Sequence, residues 1–233
     1  MLSAKRASTV VAVSKETAEF VKNYYSIKSV KVIENTIDFD LFSKKDKTIS
    51  RKKFELPENK KLVLFVGRFE YGKGSDIMLK CINSLAKRGM LLVVASNQSM
   101  DLPGVFSLKN VDYKDLPYLY SACDVFIFPS RHEGSSLALL EAMALGLPFL
   151  SSSVGLVSQF KNEGLFKECI VEERTEEVYI KKLDLLFSLS DEDKEKLSNS
   201  IKDYVFSNHS NKDFVKSYLE LLNDLVQKKE SCN

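Results

Sequence analysis

The sequence predicts an α/β fold, a doubly wound parallel sheet, from two observations. Runs rich in Val, Ile, Leu and Phe recur at 9–13, 62–66, 91–95 and 124–128, and weaker ones lie at 148–152 and 169–171. Unbroken runs of this kind are typical of strands that helices cover on both faces, as in a parallel sheet. Segments with helical periodicity separate the runs, and strand–helix alternation favours a doubly wound architecture.

Two helices of this pattern have clear boundaries. The first is expected over Ser75–Arg88, with Ser75 as its N-cap. Its apolar face consists of Ile77, Met78, Cys81, Ile82 and Leu85. The second is expected over Leu137–Leu145, because helix formers run without interruption up to Gly146, which suits the C′ position.

Composition excludes several classes of function. The chain has 233 residues, and its 34 Lys and Arg against 32 Asp and Glu leave a formal charge of +2. This near-balance argues against a strongly basic nucleic-acid binder and against a highly charged disordered chain, so no nucleic-acid partner is expected. No apolar stretch approaches the roughly 18 residues that a membrane-spanning helix needs.

The four cysteines give no sign of a metal or redox site. They are widely separated, at Cys81, Cys123, Cys169 and Cys232. This spacing fits neither a zinc knuckle nor a CxxC motif. Cys81 and Cys123 fall in apolar patterns and are expected to be small buried thiols. A reducing, cytoplasmic compartment fits this usage.

The chain changes character twice. Residues 41–60 are polar and lysine-rich, and they predict a linker or domain boundary. From about Thr175 onward the pattern is helical only, with helices expected over Asp191–Asn208 and Asp213–Gln227. The lysines and glutamates on the outer faces of these helices are expected to be solvated.

The loop after the run at 62–66 has the composition of a diphosphate-binding loop. It reads GRFEYGKGSD from Gly67 and opens the helix that follows. Ligands of parallel sheets bind outside the carboxyl ends of the strands, where helix N-termini present free N–H groups. Glycines permit close approach of the backbone, and Arg68 and Lys73 supply two cations.

Two alternatives remain open for this loop from its residues alone. Residues 67–73 match the start of a P-loop, G-x-x-x-x-G-K, but the next residue is Gly74 and not the Ser or Thr that would hold Mg²⁺. A P-loop NTPase also needs a downstream strand that ends in Asp, the Walker B residue, and no convincing strand of this kind follows. The other alternative is a glycine-bearing surface turn with two solvated cations.

The most informative segment begins at the fourth strong apolar run, DVFIFPSRHEGSSLALLEAMALG. Its loop carries Arg131, His132, Glu133 and Gly134, and Ser135 or Ser136 can cap the helix that follows. A pair of glutamates, Glu133 and Glu141, lies eight residues apart, so both can face one cleft and accept hydrogen bonds from sugar hydroxyls. The alternative is two exposed acids on a helix surface. His132 is expected to be a surface loop imidazole, with ligand contact as the alternative, and His209 is expected to be a polar loop residue.

These blocks resemble glycosyltransferase family 4, the glycosyl transferases group 1. The E-x7-E spacing with EG after PS, the upstream GRFEYGKGSD and the segment VIENTIDFDLF at 32–42 occur in the order that this family shows. The resemblance covers about residues 8–160. It implies the C-terminal, donor-binding half of a GT-B fold, which consists of two Rossmann-like domains with the reaction in the cleft between them.

The resemblance also implies residue roles. Arg68 and Lys73 match the cations that hold the donor diphosphate and offset the charge of the leaving group. Glu133 matches the carboxylate that contacts the donor sugar, so Glu133, Arg68 and Lys73 are the catalytic candidates. Glu141 matches the carboxylate that binds the nucleotide ribose. The remaining donor-binding candidates are backbone positions: Gly67, Gly134, Ser135, Ser136 and Leu137.

Two departures from the family pattern concern specificity. Ser135-Ser136 stands where the family commonly has Phe-Gly, which bears on the identity of the donor sugar. The segment Val154–Gln159 is a weak version of one that often reads Gly-Gly-x-Pro-Glu.

The family resemblance implies four parts of the chain. These are the end of an N-terminal Rossmann-like domain (1–40), a linker (41–60), a nucleotide-sugar-binding domain (61–205) and a C-terminal helix with a tail (206–233). The acceptor site of the family belongs to the N-terminal domain, most of which this sequence does not contain. Two explanations stay open: the sequence is a truncated product or fragment, or the acceptor half is a separate polypeptide that acts as a partner.

The leading hypothesis is a retaining glycosyltransferase that moves a hexose from a nucleotide diphosphate sugar to a saccharide or lipid-linked acceptor. The resemblance implies no catalytic metal and no cofactor beyond the donor. It implies a cytoplasmic location, with attachment to the inner membrane face through a partner or the other half. The alternative is a non-catalytic nucleotide-sugar-binding subunit or remnant that needs a separate acceptor-binding partner.

Overall fold

A computed structural model describes residues 6–160 and 164–230. The strands are β1 (Val10–Ala12), β2 (Val30–Val32), β3 (Lys61–Val66), β4 (Met90–Ser96), β5 (Val105–Lys109), β6 (Val125–Phe128), β7 (Phe149–Ser152) and β8 (Ile170–Val171). The helices are α1 (Lys15–Tyr25), α2 (Lys47–Lys53), α3 (Ser75–Lys87), α4 (Leu116–Ala122), α5 (Leu137–Ala144), α6 (Glu176–Ser188), α7 (Asp191–Asn208) and α8 (Asn211–Glu230). Short 3₁₀ turns include Tyr71–Lys73 and Gly155–Phe160.

The predicted doubly wound parallel sheet is confirmed. Strands β3 to β8 form a six-stranded sheet in the order β5-β4-β3-β6-β7-β8, and every neighbouring pair in it is parallel. The chain therefore winds outward from β3 in one direction, returns to the middle, and winds outward from β6 in the other. This reversal places a crevice at the carboxyl ends of β3 and β6.

The core follows the apolar runs of the sequence. In β3 the four residues Leu62–Phe65 are fully buried, and so are all four residues of β6. The expected face of α3 is also confirmed, because its five predicted apolar residues are buried. Cys81 and Cys123 are buried thiols as expected, and burial raises the pKa of Cys81 to about 12.

Helix boundaries differ from the expectation at one cap. Ser75 is the first residue of α3 and not its N-cap, because Gly74 occupies the cap position in the left-handed conformation at φ +81°. At the C-terminus of α5, Gly146 adopts φ +68° and so takes the expected left-handed C′ position.

The segment predicted as a linker contains helix α2. Its anchor is Arg51, which is buried and donates to the carbonyl oxygen of Ala122 at 2.9 Å and to Asp124 at 3.0 Å. Because a buried guanidinium and not an apolar stripe holds this helix, the periodicity of the sequence gives no sign of it. The division into domains stays a prediction.

The C-terminal helices lie close to their expected positions, and His209, expected as a polar loop residue, is a buried polar residue between two of them. His209 stands at the junction of α7 and α8 and is buried. Its ring Nδ1 lies 2.8 Å from the carbonyl oxygen of Asn35, and its own carbonyl accepts from the Thr36 hydroxyl at 2.7 Å. His209 therefore ties the junction to the segment that follows β2.

In the part of the chain that the structure describes, no helix combines the length and the apolar character needed to cross a membrane.

Candidate functional site

The two loops singled out in the sequence lie side by side. Residues 67–74 follow β3 and residues 129–136 follow β6, and these two strands are parallel neighbours. The carboxyl ends of parallel neighbours meet at one edge of the sheet, and the strand order reverses between them. The topology therefore brings both loops to the crevice where doubly wound sheets bind ligands.

Lys73 and Glu133 form an ion pair across this crevice. Lys73 ends the 3₁₀ turn of the first loop, and its Nζ contacts Oε1 of Glu133 in the second loop. The hydroxyl of the buried Ser130 donates to the same Oε1 at 2.8 Å. The Lys73 side chain is 25% exposed and that of Glu133 11%, so the pair faces the crevice from a half-buried position.

Packing at Gly74 sets the distance between the two loops. A Cβ atom at this residue would lie 2.3 Å from the carbonyl oxygen of Pro129, far inside van der Waals contact. The backbone also has a φ of +81°, which side-chain-bearing residues rarely adopt. Glycine is therefore required here for the first loop to approach the second.

Arg131 joins the loops at a further point. Its guanidinium donates to both carboxylate oxygens of Asp76, at 2.7 and 2.8 Å, and to the carbonyl oxygen of Tyr71 at 2.6 Å. The hydrogen bonds from Arg131 hold the pKa of Asp76 below its usual range. The sequence places Arg131 in the second loop but gives it no role, because nothing in the pattern shows that Asp76 lies opposite.

Arg68, the other predicted cation, stays apart from this cluster. Its guanidinium pairs with Glu70 at 3.1 Å, and its side chain is 68% exposed. The structure thus brings Lys73 to Glu133 and leaves Arg68 at the rim of the crevice.

Glu141 is buried and not an exposed helix-surface acid. The hydroxyl of Tyr120 donates to its Oε2 at 2.8 Å, and the same hydroxyl lies 3.0 Å from the carbonyl oxygen of Ala138. Burial raises the pKa of Glu141, and the hydrogen bond from Tyr120 opposes that shift. Because Tyr120 occupies Oε2, Oε1 is the atom that we expect to accept a hydrogen bond from a ligand.

The backbone positions of the second loop lead into helix α5. Ser136 is its N-cap, and the serine hydroxyl accepts from the N–H of Leu139 at 3.4 Å. The N–H groups of a first helical turn have no acceptor within their own helix, so this end can take an anion. Leu137, the first residue of the helix, is half exposed.

The N-terminal segment contacts the second loop and the 3₁₀ turn Gly155–Phe160. Asn35 donates to the carbonyl oxygen of Ser135 at 3.1 Å, and Glu16 accepts from the N–H of Gly155 at 2.8 Å. A Cβ at Gly134 would lie 3.0 Å from the Cγ2 of Val13. No local pattern indicates these contacts, because they join residues about 100 or more positions apart.

The remaining sequence expectations concern His132 and metal ligands. His132 is exposed, as expected for a loop residue. Within residues 6–160 and 164–230 there is no group of three His, Cys, Asp or Glu side chains that could hold a metal ion.

Comparison with known proteins identifies the family. Residues 46–205 match the family described as Glycosyl transferases group 1, which is well over half of the chain. The chain belongs to this family. This membership decides against the P-loop alternative for the first loop. An uncharacterised glycosyltransferase of Methanocaldococcus jannaschii is 32% identical over 182 residues, which cover 70% of this chain and 47% of that protein.

Solved structures with the same fold show which half of the family fold this is. The C-terminal domain of a group 1 glycosyl transferase from Francisella tularensis superposes with a TM-score of 0.62 at 19% identity, over 75% of this chain and 99% of that one. The Anabaena protein HepE in complex with UDP-glucose superposes with a TM-score of 0.77 at 18% identity, over 95% of this chain and 65% of HepE. The chain therefore has the fold of a C-terminal GT-B domain, and it spans less than half of its M. jannaschii relative.

Proposed function

We propose that the crevice between the loops after β3 and β6 binds the nucleotide diphosphate sugar of a retaining, metal-independent glycosyl transfer. The transferred group is a hexose, and the acceptor is a saccharide or a lipid-linked glycan. This chain supplies the donor-binding half of the reaction.

The observation that carries this proposal is the position of Lys73. Its ammonium lies at the switch point of the sheet and contacts Glu133, which belongs to the loop that leads into α5. In glycosyl transfer the bond between the anomeric carbon and the diphosphate oxygen breaks, and negative charge develops on the diphosphate. A fixed cation and free N–H groups at that point stabilise the charge as it develops.

The two glutamates suit the neutral parts of a donor. Both polar contacts of Glu133 described above fall on Oε1, so Oε2 is the atom we expect to accept from a sugar hydroxyl. Glu141 lies deeper, and its Oε1 is suited to a ribose hydroxyl. Arg68 adds a second cation from the rim, close to the outer side of the diphosphate.

UDP is the first nucleotide to test. The HepE structure holds UDP-glucose, and HepE shares the fold of this chain. GDP and ADP are tested beside it, and the departure of Ser135-Ser136 from the family pattern bears on the sugar and not on the base.

Calorimetric titration of the chain with UDP, GDP and ADP tests the donor site. We expect one of the three to bind, and we expect Lys73→Ala to weaken it about 10- to 100-fold, as for the loss of a hydrogen bond between charged groups. Lys80→Ala is the matched control, since Lys80 is an exposed lysine of α3. Failure of all three nucleotides to bind, or equal binding by wild type and Lys73→Ala, would falsify the proposal.

A second candidate function is a donor-binding subunit that acts only with a partner. Helix α8 exposes Val215, Leu219, Leu222 and Val226, which recur at spacings of four, three and four and so form one stripe. Helix α1 exposes Phe20 and Tyr24, whose rings stack at 5.3 Å. Such surfaces favour contact with another protein domain.

Sugar transfer assays separate the two candidates. A chain that hydrolyses or transfers the sugar of its bound donor unaided is the enzyme itself. Donor binding without turnover, followed by turnover when a protein with the acceptor-binding half is added, supports the subunit.

A further inference from the structure

We propose that Arg131 is a positioning residue, which holds the turn Tyr71–Lys73 at the place from which Lys73 reaches Glu133. The guanidinium of Arg131 already bonds to Asp76 and to the carbonyl oxygen of Tyr71, and we expect no contact between it and the donor. The proposal rests on the proposed function for its consequence, but its geometry can be tested without a donor.

Arg131 makes three contacts to the turn and two hydrogen bonds to the helix that follows it. Its guanidinium donates to the carbonyl oxygen of Tyr71 at 2.6 Å, and its backbone N–H donates to the carbonyl oxygen of Gly72 at 2.9 Å. The guanidinium also lies 3.6 Å from the centroid of the Tyr71 ring. Its two hydrogen bonds to Asp76 attach the same group to the first turn of α3.

These contacts enclose the residue that matters for the donor. In the chain, Lys73 follows Tyr71 and Gly72 and precedes Asp76. Arg131 contacts the residues before it and the residue after it. Glu133 is only two residues beyond Arg131 in the second loop. Arg131 therefore connects, through its side chain and its backbone N–H, the two loops that carry Lys73 and Glu133.

Guanidinium chemistry explains why arginine suits this place. A planar fork of donors can bridge a carboxylate with two parallel hydrogen bonds and still lie flat on an aromatic ring. A lysine ammonium at the same position keeps the charge but cannot make both arrangements together. Misplacement of a binding group by about 1 Å can cost up to about 100-fold in rate. A residue that keeps Lys73 in place next to the reacting diphosphate therefore has a large effect.

The test combines a reporter on Lys73 with nucleotide binding. The Nζ resonances of lysine-labelled protein are recorded for wild type, Arg131→Gln and Arg131→Lys, and Lys73→Arg assigns the Lys73 signal. The same proteins are titrated with UDP, GDP and ADP and with the matching nucleosides. Arg88→Gln is the control, because Arg88 makes an exposed pair with Asp184 at 3.0 Å between α3 and α6.

The expected result has three parts. In Arg131→Gln the Lys73 signal moves to the position of a lysine in water, and affinity for the nucleoside diphosphate falls about tenfold. Affinity for the nucleoside stays within twofold, since Arg131 acts only on the diphosphate side. Arg131→Lys gives intermediate values, and Arg88→Gln matches wild type.

Other outcomes overturn the proposal or separate it from the donor site. An unchanged Lys73 signal in Arg131→Gln, or an equal loss of nucleoside and nucleoside diphosphate affinity, contradicts a positioning role. If Arg131→Gln does not fold, Asp76→Asn removes the partner of the guanidinium and is expected to give the same shift. If wild type binds no nucleotide but its Lys73 signal depends on Arg131, the positioning role stands and the donor site fails.

Discussion

Lys73 and Arg68 belong to the same loop, but they lie in two different regions of the site. Lys73 belongs to the inner wall, where its ammonium contacts Glu133 and lies 5.7 Å from the centroid of the Phe128 ring, and where Ser130 donates to the same carboxylate. Arg68 belongs to the rim, where its guanidinium pairs with Glu70 and is largely solvated. The sequence presents them as two equivalent cations five residues apart.

The difference shows what prepares a cation for a ligand. An exposed pair in water contributes little, because solvent screens it and its side chains must be ordered. A half-buried pair with a fixed partner is already ordered and lies in a medium of lower dielectric constant. We therefore expect the inner wall to supply most of the diphosphate affinity.

The largest expected effect is the difference in nucleoside diphosphate affinity between two alanine variants. Lys73→Ala should lose about 10- to 100-fold in affinity for the nucleoside diphosphate, because it removes a charged donor and leaves Glu133 facing the phosphates. Arg68→Ala should lose less than about threefold, as for exposed ion pairs. Calorimetry on both variants measures the gap, and equal losses would show that burial does not distinguish the two cations.

The next effect concerns the close packing of Gly74 against Pro129, which brings the two loops of the site together. Gly74→Ala should lower the free energy of unfolding by about 1–3 kcal/mol, because the new Cβ meets the Pro129 carbonyl at a strained φ. Gly72→Ala is the matched control, since a Cβ there meets no atom within 4 Å. Urea unfolding of both variants provides the comparison. A Gly74→Ala protein as stable as Gly72→Ala would contradict the close approach of the loops.

The smallest effect concerns Glu141, the buried acid of the site. Its raised pKa means that the folded state binds the proton more tightly than the unfolded chain, whose glutamate has a pKa near 4.5. Wild-type stability contributed by this group is therefore lost as pH rises from 4.5 through the raised value. Glu141→Gln has no such loss, so at pH 7 it should be more stable by about 0.5–1 kcal/mol while it binds nucleotide less well.

Thermal unfolding of wild type and Glu141→Gln across pH 3–7 measures this difference. The difference in stability between Glu141→Gln and wild type should vanish near pH 3, where Glu141 is protonated in both the folded and the unfolded wild type. A gap that does not change with pH would mean that the substitution acts through packing and not through ionisation.

Much of the fold could be predicted because its signals are local. The apolar runs that form β3, β4 and β6 are buried on both faces, and such strands need no alternation to be recognised. Strand β5 was missed, since it lies at the edge of the sheet and its residues are only partly buried. Helix α2 was missed because Arg51, a charged residue, is its anchor.

The site divides in the same way. Glu133, Lys73 and the capping Ser136 could be placed from spacing and from the family resemblance, since each lies next to a strand end. The partners of these and other residues could not be predicted in this way. Arg131 meets Asp76 across 55 positions of the chain, and His209 meets Asn35 across 174, so only the folded topology brings them together.

A crystal structure of this chain with its nucleoside diphosphate tests the central claim most directly. We predict diphosphate oxygens within hydrogen-bonding distance of Lys73 Nζ and of the N–H groups at the start of α5, with the ribose toward Glu141. The structure also has a groove of about 990 Å³ at the amino ends of the strands, which lysines such as Lys44 and Lys61 and carboxylates such as Asp124 line together. A nucleotide bound in that groove, with the Lys73–Glu133 pair unchanged, would contradict the account.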